Sequence, residues 1–210
     1  MVGTSKRIIT LACLALWAFG SSTNVSAGVL DGHGDAIAPI WTGTQAFTNG
    51  GNLNGMVDYA VFTKADYIAN FGTGDYNPVD GVVYTYQVFN TGLDEISAKI
   101  VGNTAESNSI GAFDDVVGGD RIPTAIFYDT GSPVWSFTGN SIDTGESSIG
   151  LAFSSPYLPE FGAGLVIDGG GIANVMGIPV PGSVAIPEPA SWLLATMGMA
   201  AFGWFRRFRR

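Results

Sequence analysis

The sequence predicts an all-β body, folded as a single antiparallel β-sandwich and carried between two membrane-directed ends. Three observations predict it. Between the ends the chain breaks into short runs of β-branched and aromatic residues punctuated by Gly, Asn and Asp, with no sustained helical period. The clearest run, residues 82–89, alternates faces in the manner of a strand. The long apolar stretches that could make helices are confined to residues 8–19 and 192–205, close to the termini. Short strands need a facing layer to bury their apolar sides, and a one-domain sandwich supplies it.

Taken in order, Lys6 and Arg7 precede the apolar run, and Val25-Ser26-Ala27 meets the small-x-small rule of signal peptidase. A signal helix over residues 1–27, cut between Ala27 and Gly28, is therefore expected. The run is too short for the ~20 apolar residues of a permanent span. The cut removes Cys13, the one cysteine, so the mature body has no thiol chemistry, disulfide or cysteine ligand.

The body is expected over residues 28–178, with strands at 56–63, 82–89, 96–100, 122–128, 134–138, 147–153 and 164–167, and weaker ones at 37–42 and 172–178. Val82, Tyr84, Tyr86 and Val88 share one face, with Thr85 and Gln87 opposite, which reads as a half-buried strand. Asn90-Thr91-Gly92 is a turn signal, and Ile96, Ala98 and Ile100 alternate with Ser97 and Lys99 beyond it. These two strands are expected to be antiparallel neighbours. Ile149, Leu151 and Phe153 share a face after the turn at Asp143-Thr144-Gly145-Glu146, and Trp135, Phe137, Phe127 and Tyr128 are candidates for the core. Residues 63–70 allow a short helical turn and no more. Residues 179–185, rich in Pro and Gly, read as a linker. The stretch Tyr84-Thr85-Tyr86-Gln87-Val88-Phe89-Asn90-Thr91-Gly92 resembles a strand-turn of immunoglobulin-like modules in bacterial surface proteins, which implies an immunoglobulin-like sandwich.

The C-terminal segment, residues 186–210, joins a Pro187-Glu188-Pro189 box to an apolar run and to Arg206, Arg207, Arg209 and Arg210. A helix over residues 190–205 would be about 24 Å long against a hydrocarbon thickness near 30 Å, marginal for a lasting span. Trp192 and Trp204 suit the two interfaces, and the arginines act as a membrane stop on the cytoplasmic side. Lys6 and Arg7 set the N-terminus on that same side, which places the body outside. Pro187 and Pro189 cannot join a helix or sheet ladder, so they keep the box extended and accessible. This order of box, apolar run and arginines resembles the PEP-CTERM sorting signal of Gram-negative bacteria that make extracellular polysaccharide. The resemblance implies recognition by an exosortase, transient insertion in the inner membrane, cleavage near the box, and delivery to the cell surface or extracellular matrix. Trp135-Ser136-Phe137 followed by Thr144-Gly145-Glu146-Ser147-Ser148 resembles bodies that carry this tail.

The formal net charge is −9. With Lys6, Arg7 and the four C-terminal arginines set against Glu188, the ends hold +5, which leaves −14 on residues 28–185. Only Lys64, Lys99 and Arg121 are basic there, too few to neutralise phosphates, so nucleic acid is excluded as a partner. His33 is the one histidine, and Gly145-Glu146-Ser147-Ser148-Ile149 lacks the last glycine of a nucleophile elbow. Zinc would need three oxygen ligands around that histidine. Calcium has two candidate loops, Asp31 with Asp35 and Asp114 with Asp115 and Asp120. Neither is an EF-hand, since Thr42 stands where the bidentate glutamate would fall, and solvated turns account for the same acids. Asp94-Glu95 and Asp114-Asp115 are carboxylate pairs, but neighbours on a strand point opposite ways, so adjacency is weak ground for a glycosidase pair. Residues 168–174 read as a glycine-rich turn without a phosphate-loop fingerprint. The expected function is a non-enzymatic surface or matrix protein linked to extracellular polysaccharide and biofilm, with no cofactor. The alternative is a carbohydrate-binding or calcium-assisted adhesive module, with Trp41, Tyr76 and Tyr157 stacking on sugars.

Overall fold

The computed structural model describes residue 30 and residues 37–102, 106–114 and 121–185. Over these the chain forms Thr42–Thr48 (β1), Asn54–Thr63 (β2), Lys64–Phe71 (α1), Val82–Asn90 (β3), Ala98–Val101 (β4), Ile110–Phe113 (β5), Ala125–Asp129 (β6), Ser132–Ser136 (β7), Gly150–Ser155 (β8), Tyr157–Ile167 (β9) and Ile172–Ala185 (β10). A 3-10 turn, Pro39–Trp41, leads into β1. The strands join in one ten-stranded antiparallel sheet, in the order β5-β8-β3-β2-β1-β10-β9-β4-β7-β6.

The all-β, antiparallel expectation holds. Its two-sheet, immunoglobulin-like form does not match the pairing, because a single sheet curls until it is nearly a barrel. Its two edges meet through side chains: Trp135 Nε1 on β7 donates to the Gly111 carbonyl on β5 at 2.7 Å, and the Tyr128 hydroxyl on β6 donates to the Asn108 carbonyl at 2.5 Å. A bulge between Met176 and Ile178, with Gly177 at φ 75°, adds local bend to β10. Alternation in a sequence reports which face of a strand is dry but not which strands pair, so it could not separate a rolled sheet from two stacked ones.

Inside the roll, Tyr84, Tyr86, Trp135, Phe153, Leu151 and Val166 pack in one cluster. Tyr84 and Phe153 stack at 4.9 Å, as cross-strand partners on β3 and β8. A second cluster covers the outer face of β2, β3, β8 and β5, built from Phe62, Val83, Ala152 and Phe113 beneath Tyr67 and Phe71 of α1. β3 is thus buried on both faces rather than half-buried, and Thr85 and Gln87 lie inside, each donating a hydrogen bond to a carbonyl. Thr85 Oγ1 donates to the Ala60 carbonyl at 2.7 Å, and Gln87 Nε2 to the Ser148 carbonyl at 3.0 Å.

The helix is longer than the single turn expected. Thr63 caps it by accepting from the Asp66 amide at 3.1 Å, and Gly72 at φ 74° ends it. Tyr67 and Phe71, four residues apart, put two rings on the face that meets Phe62. That anchorage stabilises eight residues of modest propensity.

Three further expectations change. β4 does not neighbour β3 but pairs with β7 and β9. The intervening chain crosses the end of the roll instead of forming a hairpin, held by Asn90 Nδ2 donating to the carbonyls of Asp94 and Ile142, each at 2.8 Å. The faces of β4 are reversed as well: Lys99 and Val101 point inward, while Ala98 and Ile100 are only partly covered. Residues 179–185 are not a linker but the far end of β10, paired from Pro179 opposite Phe161 to Ala185 opposite Tyr157. Prolines are tolerated there because β1 meets β10 only near Asn174, so the far side of Pro179 and Pro181 requires no amide donor. β1 and β5 were not anticipated, since Gly, Gln and Ala blur their alternation. The signal segment 1–27 and the candidate helix 190–205 lie outside the described residues, among which no helix is long and apolar enough to cross a membrane.

Candidate functional site

The β9–β10 ladder sets the two poles of the molecule. At one pole is its turn, residues 168–171; at the other is the open end, where Ala185 lies opposite Tyr157. At about 3.3 Å per residue the poles stand roughly 40 Å apart along β10. The sorting box Pro187-Glu188-Pro189 and the stop residues Arg206, Arg207, Arg209 and Arg210 follow directly beyond the open end, outside the described residues, as do Ala27 and Gly28.

The turn pole holds an open cleft of about 630 Å³ lined by Asn49, Leu93, Asp94, Glu95, Asp168 and Gly171. Its acids hold loops in place. Asp168 Oδ1 accepts from the Gly170 amide at 2.6 Å and from the Gly171 amide, while its own amide donates to the Gly171 carbonyl at 3.1 Å. The glycine-rich turn read over residues 168–174 is thus a turn at 168–171, held by the Asp168 side chain, while residues 172–174 begin β10. Glu95 accepts from Ser141 Oγ at 2.7 Å.

Of the calcium candidates, Asp114 is an exposed bend residue after β5, while Asp31, Asp35, Asp115 and Asp120 fall outside the described residues, as does His33. No group of three or more His, Cys, Asp or Glu placed to hold a metal occurs among the described residues. The three aromatics proposed for sugar stacking do not form one surface. Tyr76 is buried under α1, its hydroxyl 2.7 Å from Ser109 Oγ, and burial pushes its phenol up to about 12. Trp41 lies against Phe161 at 4.7 Å, and the Tyr157 carbonyl accepts from the Tyr84 hydroxyl at 2.9 Å.

Two charged groups escaped the sequence reading. Arg121 reaches Glu146 through both Nε at 2.5 Å and Nη2 at 2.7 Å, with Asp143 at 3.0 Å and Asn140 at 3.2 Å. This fork ties the 121 segment to the turn before β8, where the Asp143-Thr144-Gly145-Glu146 signal stood. The Arg121 hydrogen bonds, followed by the Asp143 amide, hold the Glu146 carboxyl below its usual value. Such a group stabilises above the unfolded carboxylate value of 4.5 and loses its contribution as the pH falls through the lower folded value. Glu146→Gln should therefore shrink the difference in urea midpoint between pH 6 and pH 3; an unchanged difference would show that the fork is not coupled to folding.

The second is Lys99. Its side chain is wholly buried, with Nζ 5.8 Å from the centre of the Tyr86 ring and donating to the Ile100 carbonyl at 3.3 Å. Burial without an acidic partner lowers the ammonium to about 7. The adjacent apolar pair Ile100-Val101 carried the signal, because it allows either phase of alternation and choosing Val101 places Lys99 inside.

Comparison with known proteins places one segment. Residues 185–210 match the PEP-CTERM protein-sorting motif. The chain thus carries a PEP-CTERM sorting signal, which indicates export and surface localisation and implies an exosortase as the processing partner. No curated protein and no solved structure matches the chain.

Proposed function

We propose that this is an exported, non-enzymatic β-protein of a Gram-negative cell, cut by signal peptidase at one end and by an exosortase at the other, and associated with extracellular polysaccharide. The observation that carries the reading is the sorting motif matched over residues 185–210, which follows in the sequence on the paired strand β10. The engagement of carboxylates inside the fold supports a structural role. Asp58 accepts from Thr44 Oγ1 at 2.6 Å, Asp80 from Ser154 Oγ at 3.1 Å, and Asp66, Glu146 and Asp168 cap or brace turns. A sugar-binding module has less support, because Tyr76 is buried and Trp41 is packed against Phe161.

Mass spectrometry of the intact protein from its native host tests the processing. The expected mass lacks residues 1–27 and the segment from Trp192 onward. Recovery of a steady-state form that still ends at Arg210 would overturn the reading.

A further inference from the structure

We propose that the open end of the β9–β10 ribbon is a lipid-facing surface, on which the body rests while its sorting signal is in the bilayer. The inference depends on reading residues 185–210 as a membrane-directed signal. It adds which part of the folded body meets the membrane.

Four large apolar side chains are exposed on the half of the ribbon that leads to this end or beside it: Val184 (60 %), Leu158 (37 %), Phe161 (48 %) and Ile40 (60 %). Val184 and Leu158 each neighbour the last pair, Ala185 with Tyr157, beyond an irregularity in the ladder that begins at Pro181. Ile40 belongs to the same pole, because its neighbour Trp41 packs against Phe161. Exposed apolar groups gathered around one end of a strand ladder differ from single ones scattered over a surface. Across residues 157–163 and 178–185 the one charged side chain is Glu160, so the ribbon end carries little that resists an interface. Trp41 adds an indole of the type that favours the headgroup region.

The chain itself supplies the partner. Residues 186–191 separate Ala185 from Trp192, the first residue of the apolar run. Six extended residues reach at most about 20 Å. Once the run enters the bilayer, the open end of the ribbon must lie within that distance of the lipid, whereas the turn pole stands a further 40 Å or so along β10. Apolar surface held this close gains by entering the interface, as an amphipathic element does, without specific recognition.

The test uses the full chain with Cys13→Ser, reconstituted in phosphatidylethanolamine–phosphatidylglycerol vesicles that carry a lipid-borne quencher. Single cysteines for an environment-sensitive fluorophore are placed by Pro39→Cys beside Ile40, by Leu93→Cys at the turn pole, and by Ala195→Cys in the apolar run. The label at 39 is expected to be quenched several-fold more than that at 93, and Phe161→Ser with Val184→Ser should remove most of the difference while leaving the unfolding midpoint little changed. Equal quenching at 39 and 93, with 195 strongly quenched, would overturn the lipid-facing surface and leave the sorting reading standing. So would quenching at 39 that ignores the double substitution, since tethering alone would then explain it. Absence of quenching at 195 would overturn the sorting reading and this inference with it.

Discussion

Replacing Lys99 with methionine is expected to stabilise the body at pH 7 by an amount on the order of a few kcal/mol, read as a raised unfolding midpoint. Lys99 is the inward residue of β4 and has the Tyr86 ring and a single carbonyl for company. Its ammonium must be desolvated or discharged on folding, and no carboxylate offsets that cost. The sign of the pH dependence follows. The folded value near 7 lies below the unfolded value of 10.5, so between them the unfolded chain binds more protons and stability rises with pH. Above about pH 10 the buried phenols act in the opposite sense. Burial raises the phenols of Tyr76, Tyr84 and Tyr86, so their contribution is complete below pH 10 and is lost at higher pH. In thermal melts from pH 6 to 11 the parent should gain stability up to about pH 10 and then lose it, and Lys99→Met should lack the rise and keep the fall. A variant no more stable than the parent at pH 7 would show that Lys99 reaches solvent.

Trp135→Ala is expected to cost about 3–5 kcal/mol, the usual range for deleting a fully buried ring. The indole touches the centre of the roll, 6.4 Å from both Tyr86 and Phe153, and its Nε1 bonds the Gly111 carbonyl across the seam. Trp135→Phe separates these roles: it keeps most of the buried volume and removes only the bond, for about 1 kcal/mol. In that variant, amide exchange should accelerate in β5, whose outer edge the indole secures, more than in β2 or β3. Exchange in β5 indistinguishable from the parent would show that the seam closes without it.

The legible parts of the fold were those that local chemistry decides. β2 and β3 lie where their β-branched and aromatic residues place them, and the turns at 90–92, 143–146 and 168–171 follow from the Asn90, Glu146 and Asp168 side chains, which accept from nearby amides. The pairing order was not legible, because it depends on contacts between residues far apart in the chain. Lys99 shows the limit most plainly: a lysine on an alternating strand is assigned outward by hydrophobicity, and only Val101 opposite Gly164 reveals that the other phase prevails. The proline-rich end of β10 misled for a related reason. Proline blocks one edge of a strand, and a ribbon with only one partner needs only the other edge. The sorting box was readable because it is addressed to an enzyme, which must recognise it as a local sequence.

The pairing of β10 down to Ala185 also has a mechanical meaning. While a sorting signal in the bilayer held the chain, tension would enter the body at the end of β10, and the hydrogen bonds of the β9–β10 ladder lie across that strand. The load is then shared by many bonds in shear, and it enters a strand that reaches back through the whole roll to the opposite pole.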